Sequence, residues 1–278
     1  MLFGNFKVLL ICFVLISGGS YAQSVDPIAR KKSLQFLKAA ELFTYQGSAA
    51  WMSWLDSAHV ADPMFGQPFV EKARVFNMRG DFSEGFKYLN EAIKRDSMSY
   101  LGYQGWYKIY YLRDYKGGRT DLLKTDALTP KTIDYPGGDH IYYLLGMAES
   151  GLGNFEKALD YFEQYVQDEI TRNGEKWVRP IAYLRMIDIY YRQNAPDLAM
   201  PLIEKVMNSS PNMVEAHYLK GLVALKMADK ATATKSLYRA LELFLMGYEP
   251  DRWLNMDDGY PLTKEIIQEK LAQATGIK

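Results

Sequence analysis

Two sets of marker residues recur along this chain with the same uneven step. The first set is Ala39, Ala73, Trp106, Gly146, Ile187 and Gly221, with spacings of 34, 33, 40, 41 and 34. The second is Trp51, Gly85, Gly118, Ala158, Ala199 and Ala233, and it gives the same series. Each marker sits inside a segment whose apolar residues repeat with helical period, and a short turn such as Gly80-Asp81 or Asn194-Ala195 separates the two segments of a pair. The two long steps coincide with two longer loops, TPKTIDYPGGD and TRNGEKWVRP. Self-similarity of this kind restricts the fold to stacked helix pairs, because a pair cannot bury its apolar face alone and must pack on the next.

The stretch from His140 to Asp168 shows the pattern most clearly. Leu145-Gly146 lies in its first helix, Ala158 follows twelve residues later, and Phe162 four beyond that. This spacing resembles the tetratricopeptide repeat, whose two helices carry a Leu-Gly pair and then a small residue and an aromatic. The resemblance runs from Ser33 to Leu245 and implies an all-α, right-handed α-solenoid of about six helix pairs that binds other molecules on its concave surface. Trp106, Ile187, Trp51 and Tyr165 depart from it, each standing where the family prefers a small residue.

Before the repeats, residues 1–22 read as a signal peptide. Lys7 supplies the positive region, Val8 to Ile16 the apolar core, and Ser20-Tyr21-Ala22 the small-residue cleavage site. The core is too short to span a bilayer. The only cysteine, Cys12, falls within it, so the mature chain has no thiol chemistry. The expected location is the periplasm or the periplasmic face of the outer membrane, with secretion as the other exported outcome. Residues 23–32 read as a polar lead-in, 33–245 as the repeat array, and 246–278 as a loop followed by a capping helix over Leu262 to Ala272.

Catalytic constellations are missing from the sequence. His59, His140 and His217 are scattered, without the spacing of a zinc site. Asp134, Asp139 and His140 read as part of a turn rather than as ligands. There is no phosphate loop and no nucleophile elbow. No enzyme activity, cofactor or metal is expected. A formal net charge of +0 argues against nucleic acid as a partner.

The 21 tyrosines are the unusual feature. Because first helices line the concave side of such arrays, the register places Tyr100, Tyr103, Tyr107, Tyr110 and Tyr111 on one groove wall. Tyr143, Tyr191, Arg192 and Tyr218 continue the wall, and Arg74 and Asn77 form a more polar start. Each phenol needs a hydrogen-bond partner, and a wet groove supplies one. Packing between neighbouring repeats is the other reading of the same residues. The expected function is a protein- or peptide-binding scaffold of the bacterial cell envelope, with Arg74 and Arg192 as carboxylate partners. The alternatives are a carbohydrate-binding module using the same aromatic surface, or an enzyme whose site the sequence hides.

Overall fold

The computed structural model describes residues 26–250, 255–256 and 260–276, so the expected signal peptide lies outside the described residues. The chain divides into two compact units, Met1–Pro68 and Phe69–Lys278. The first contains α1 (Pro27–Phe43) and α2 (Ala49–Ala61). α1 begins six residues before the expected Ser33, because the Asp26 carboxylate accepts the Ile28 and Ala29 N–H groups and Pro27 suits the first helical position. Ser33 Oγ donates to Ala58 O at 2.7 Å and Arg30 pairs with Asp62 at 2.6 Å, joining the two helices. Trp51 is buried at the helix-B marker, and the small apolar residue that α1 buries, beside Ser33, is Ala40 rather than the expected Ala39.

From Phe69 onward the pairs follow one another as an α-solenoid. They are α3 (Gln67–Met78) with α4 (Phe82–Arg95), and α5 (Ser97–Tyr107) with α6 (Tyr115–Leu128). Next come α7 (Ile141–Gly151) with α8 (Phe155–Asn173), α9 (Pro180–Arg192) with α10 (Pro196–Ser209), and α11 (Val214–Lys226) with α12 (Lys230–Leu245). Each second helix packs on the first helix of the following pair. α13 (Lys264–Thr275) covers α12 with Ile267, Leu271 and Ala274, which is the expected cap. A two-residue antiparallel bridge, β1 (Asn255–Met256) with β2 (Tyr260–Pro261), precedes it.

Local chemistry sets the ends of these helices. Asp81, Asp96, Asp114, Asp229 and Thr263 each accept a backbone N–H from the first turn that follows. The turns inside the pairs pass through left-handed backbone at Gly80, Arg113, Gly153, Asn194 and Ala228. Within a pair the marker residues touch. At Gly146 an added Cβ would lie 2.7 Å from two ring carbons of Phe162, and at Gly221 2.5 Å from Leu237. Ala158, Phe162, Ala199, Ile203, Ala233 and Leu237 are completely buried. Ile187, a departure from the family pattern, is also completely buried and simply fills the space that a smaller residue would leave.

Candidate functional site: an aromatic and charged strip on the first helices

The third pair contains the structural irregularity from which the site is built. α5 does not run on as an α-helix. Its last turn, Lys108–Leu112, is a π-helix, and Arg113 then turns the chain with φ 52°. A π-turn accommodates one extra residue and recurs at functional sites. The effect is a one-residue slip. Gly105, not the expected Trp106, faces the second helix: its added Cβ would come 3.1 Å from Gly118 O and from Leu122 Cγ. Gly105 to Gly118 is thirteen residues, whereas Gly146 to Ala158 is twelve. Trp106 therefore does not occupy the small-residue site of this pair; Gly105 does.

Trp106 is freed to project toward the first long loop. Its ring covers Gly137, where an added Cβ would be 2.5 Å away, and its Nε1 donates to Asp139 Oδ2 at 3.0 Å. Around it lie Tyr103, near parallel at 5.8 Å and 12°, Tyr107 edge-on at 4.9 Å, and Tyr110 tilted at 5.2 Å. Tyr103 and Tyr107 share a hydrogen bond of 3.1 Å between hydroxyls. Burial, reinforced by that bond, pushes the Tyr107 phenol well above its ordinary value.

Asp139 joins the two long loops. Besides Trp106 it accepts from Arg179 Nη1, forty residues away at the end of the second loop. Arg179 N–H in turn donates to the Tyr165 hydroxyl at 3.3 Å, so the tyrosine that departs from the family pattern anchors this loop. The Arg179 guanidinium lies 5.2 Å from the centre of the Tyr143 ring, and Arg185 Nε donates to the Tyr143 hydroxyl at 3.0 Å. Tyr110 completes the group. Burial foremost, with Tyr143 and the Asp139 carboxylate adding to it, holds its phenol far above the usual range. Trp106 and the π-turn's Tyr110, Tyr143 of α7 and Arg185 of α9 thus form one strip across three successive first helices. Farther along, Lys226 of α11 sits 4.2 Å over the Tyr191 ring and donates to Tyr191 O.

The sequence-predicted residues divide. Tyr103, Tyr110, Tyr111 and Tyr191 are half-buried or exposed on this strip, and Arg192 is exposed and paired with Asp188 at 2.8 Å. Arg74 is half-buried and paired with Glu71 at 3.3 Å. Four others do not stand on an open wall. Tyr218 is fully buried in the core, Tyr143 is 2% exposed, Tyr107 is 4% exposed, and Asn77 is 2% exposed. For three of them the contacts give the physical reason. Tyr143 and Tyr107 satisfy their hydroxyls on Arg185 and Tyr103 and so can turn inward. Asn77 fills the space over Gly85, whose added Cβ would be 1.9 Å from Asn77 Oδ1.

Trp106, Arg179 and Arg185 were not among the sequence candidates, and Asp139 was considered only as a turn residue. The thirteen-residue step from Gly105 to Gly118 is the signal that would have exposed Trp106. Among the described residues no group of His, Cys, Asp and Glu could hold a metal, and no helix is long and apolar enough to cross a membrane.

Comparison with known proteins agrees with this architecture. The family model for the tetratricopeptide repeat matches residues 139–167. Comparison with curated proteins gives no match. Among solved structures the fold is similar to that of PilF from Pseudomonas aeruginosa, with TM-score 0.60, 18% identity, and coverage of 78% of this chain and 94% of that one. It is similar to PilW, a type IV pilus biogenesis factor, with TM-score 0.61, 12% identity, and coverage of 81% and 97%. YrrB, a tetratricopeptide-repeat protein described as having an unusual peptide-binding site, gives TM-score 0.51, 19% identity, and coverage of 68% and 91%.

Proposed function

We propose that this chain, a tetratricopeptide-repeat protein by its matched repeat and its fold, is a non-catalytic scaffold that binds a protein or peptide on the first-helix strip. The observation that carries the reading is the cluster of Trp106, Tyr110, Asp139, Tyr143, Arg179 and Arg185. Trp106 and Tyr110 offer partly exposed aromatic faces beside guanidinium donors and a carboxylate acceptor, while the buried Tyr143 holds Arg185 in place, a mixture suited to peptide side chains and backbone. The signal-like N-terminus supports an exported, envelope-associated role, and one structurally similar protein, PilW, is described as a type IV pilus biogenesis factor.

Carbohydrate binding is the second reading, and the near-parallel Tyr103–Trp106 pair supports it. The other neighbours are tilted or edge-on, at 49° for Trp106–Tyr110 and 82° for Trp106–Tyr107, which disfavours an extended flat platform. The test uses purified protein as bait in envelope extract, beside a glycan array, with Arg179→Ala/Arg185→Ala as the comparison. The scaffold reading expects one envelope protein to be enriched by the wild type and lost by the variant at equal far-UV helical signal. Glycan binding without such enrichment, or equal capture by the variant, overturns it.

A further inference from the structure

His140 stands at the start of α7 with its side chain almost fully buried. Its Nδ1 accepts the Tyr142 N–H at 3.1 Å, so that nitrogen carries a lone pair. The proton therefore sits on Nε2, which donates to Asp168 Oδ2 at 3.0 Å. The ring is held as one neutral tautomer with both nitrogens committed. Protonation would place a second N–H at Nδ1, pointing at the Tyr142 N–H that it now accepts, and the cap of α7 would be lost.

Two routes lead from this ring to the strip. The first is Asp139, the residue before it in the chain. Asp139 accepts from Trp106 Nε1 at 3.0 Å and from Arg179, so the turn that His140 caps also ties the two long loops together. The second route runs through Tyr165. Its ring meets the imidazole edge-on at 5.1 Å, and its hydroxyl accepts the Arg179 N–H at 3.3 Å. Asp168, Glu169 and Arg172 face the imidazole from α8, and Arg172 is itself paired with Asp168 at 2.8 Å. Tyr135 meets it edge-on at 5.3 Å from the first long loop, and Tyr142 of α7 lies tilted at 5.4 Å. Burial foremost, with Arg172 adding to it, keeps the ring neutral against the pull of the two carboxylates.

We propose that His140 is a proton-controlled latch: its neutral ring holds Asp139 and Arg179, and with them Trp106, in place, and acid releases them. As regulation of binding, this rests on the first-helix strip being the binding surface; the latch itself is measured without a partner, so either can fail alone. The direction follows from linkage. A ring released to solvent takes up its proton near pH 6.5, whereas the held ring resists it. The released form therefore gains on the held form as pH falls below 6.5, by at most about tenfold per pH unit. Trp106, Tyr142 and Arg179 each lose a hydrogen-bond acceptor on release.

Hydrogen exchange followed by NMR on the purified full chain at about pH 7 and about pH 5 tests this, read as protection factors so that the intrinsic pH dependence of exchange cancels. The Tyr142 N–H, the Arg179 N–H and the Trp106 indole N–H should each lose about tenfold in protection at the lower pH. Interior amides of α7 and α11 should stay more protected than these three at both pH values. His140→Asn keeps a capping acceptor, and its three protection factors should agree between the two pH values within about twofold. Tyr165→Phe removes only the hydroxyl; it should unprotect the Arg179 N–H at both pH values and leave the pH dependence at Tyr142 and Trp106. Unchanged protection in the wild type, an equal fall in His140→Asn, a fall confined to Tyr142, or interior amides no more protected than the three overturns the proposal, as does an Arg179 N–H in Tyr165→Phe protected as in the wild type.

Discussion

Replacing Gly146 by alanine sets two effects of opposite sign against each other. In an exposed helix the change stabilises, by about 1 kcal/mol, because glycine costs more backbone entropy than alanine. Here the new Cβ would sit 2.7, 2.7 and 2.9 Å from Cδ1, Cε1 and Cζ of Phe162. Ordinary carbon contacts lie at about 3.5–4.0 Å. The ring has no solvent-facing side toward which to retreat, because Phe162 is 0% exposed. Three simultaneous contacts against a locked ring belong in the upper part of the overpacking range, about 2–3 kcal/mol. The net expectation is a loss of about 1–2 kcal/mol, or roughly 2–8 °C in Tm for a chain of this size. Denaturant melts followed by far-UV circular dichroism measure it. The partner change Phe162→Leu should relieve the clash, so the double variant should be more stable than the sum of the singles by at least about 0.5 kcal/mol. A stabilised Gly146→Ala, or strict additivity with Phe162→Leu, would refute the packing of the marker residues that defines the repeat register.

Two further substitutions probe the helix ends. His140 caps α7 through Nδ1, which accepts the Tyr142 N–H at 3.1 Å, while Nε2 faces Asp168 at 3.0 Å. Burial, only partly offset by Asp168, holds its folded pKa below the ordinary 6.5, so the unfolded chain takes up the proton first. Stability should therefore fall as pH drops below 6.5, and His140→Asn, which can still cap, should flatten that fall in urea midpoints measured at successive pH values; His217, also depressed by burial, contributes the remaining slope. Ala228→Gly should stabilise by about 0.5–1 kcal/mol, because Ala228 is exposed and held at φ 58°, a left-handed conformation costly for any residue with a Cβ; a lowered denaturation midpoint would count against that turn.

The repeat architecture was readable because helix packing imposes it locally. Gly146 must be small where Phe162 presses on it, and the same pressure recurs at Gly221 under Leu237. What escaped the sequence depended on distant or irregular features. The π-turn over Lys108–Leu112 displaces the register by one residue, and nothing in the aromatic string around it marks where the extra residue is absorbed. The inward turn of Tyr143 rests on Arg185, forty-two residues away, and the Asp139–Arg179 link spans forty. Tyrosines were assigned to a wet groove because their hydroxyls need partners, yet the interior supplies such partners through these long-range contacts. α1 starts early for the opposite reason: its Asp26-Pro27 start signal is local, but the polar stretch that carries it reads as a lead-in.

Binding on the first helices is the central claim, and site-specific photo-crosslinking in envelope extract tests it most directly. A photoreactive amino acid is placed at Tyr111 or Arg192 on the strip, and at Leu198 or Tyr238, exposed at 56% and 55% on the second helices α10 and α12. Discrete adducts to one envelope protein from the first two positions, with none from the other two, are the predicted result. Adducts confined to Leu198 and Tyr238 would contradict it.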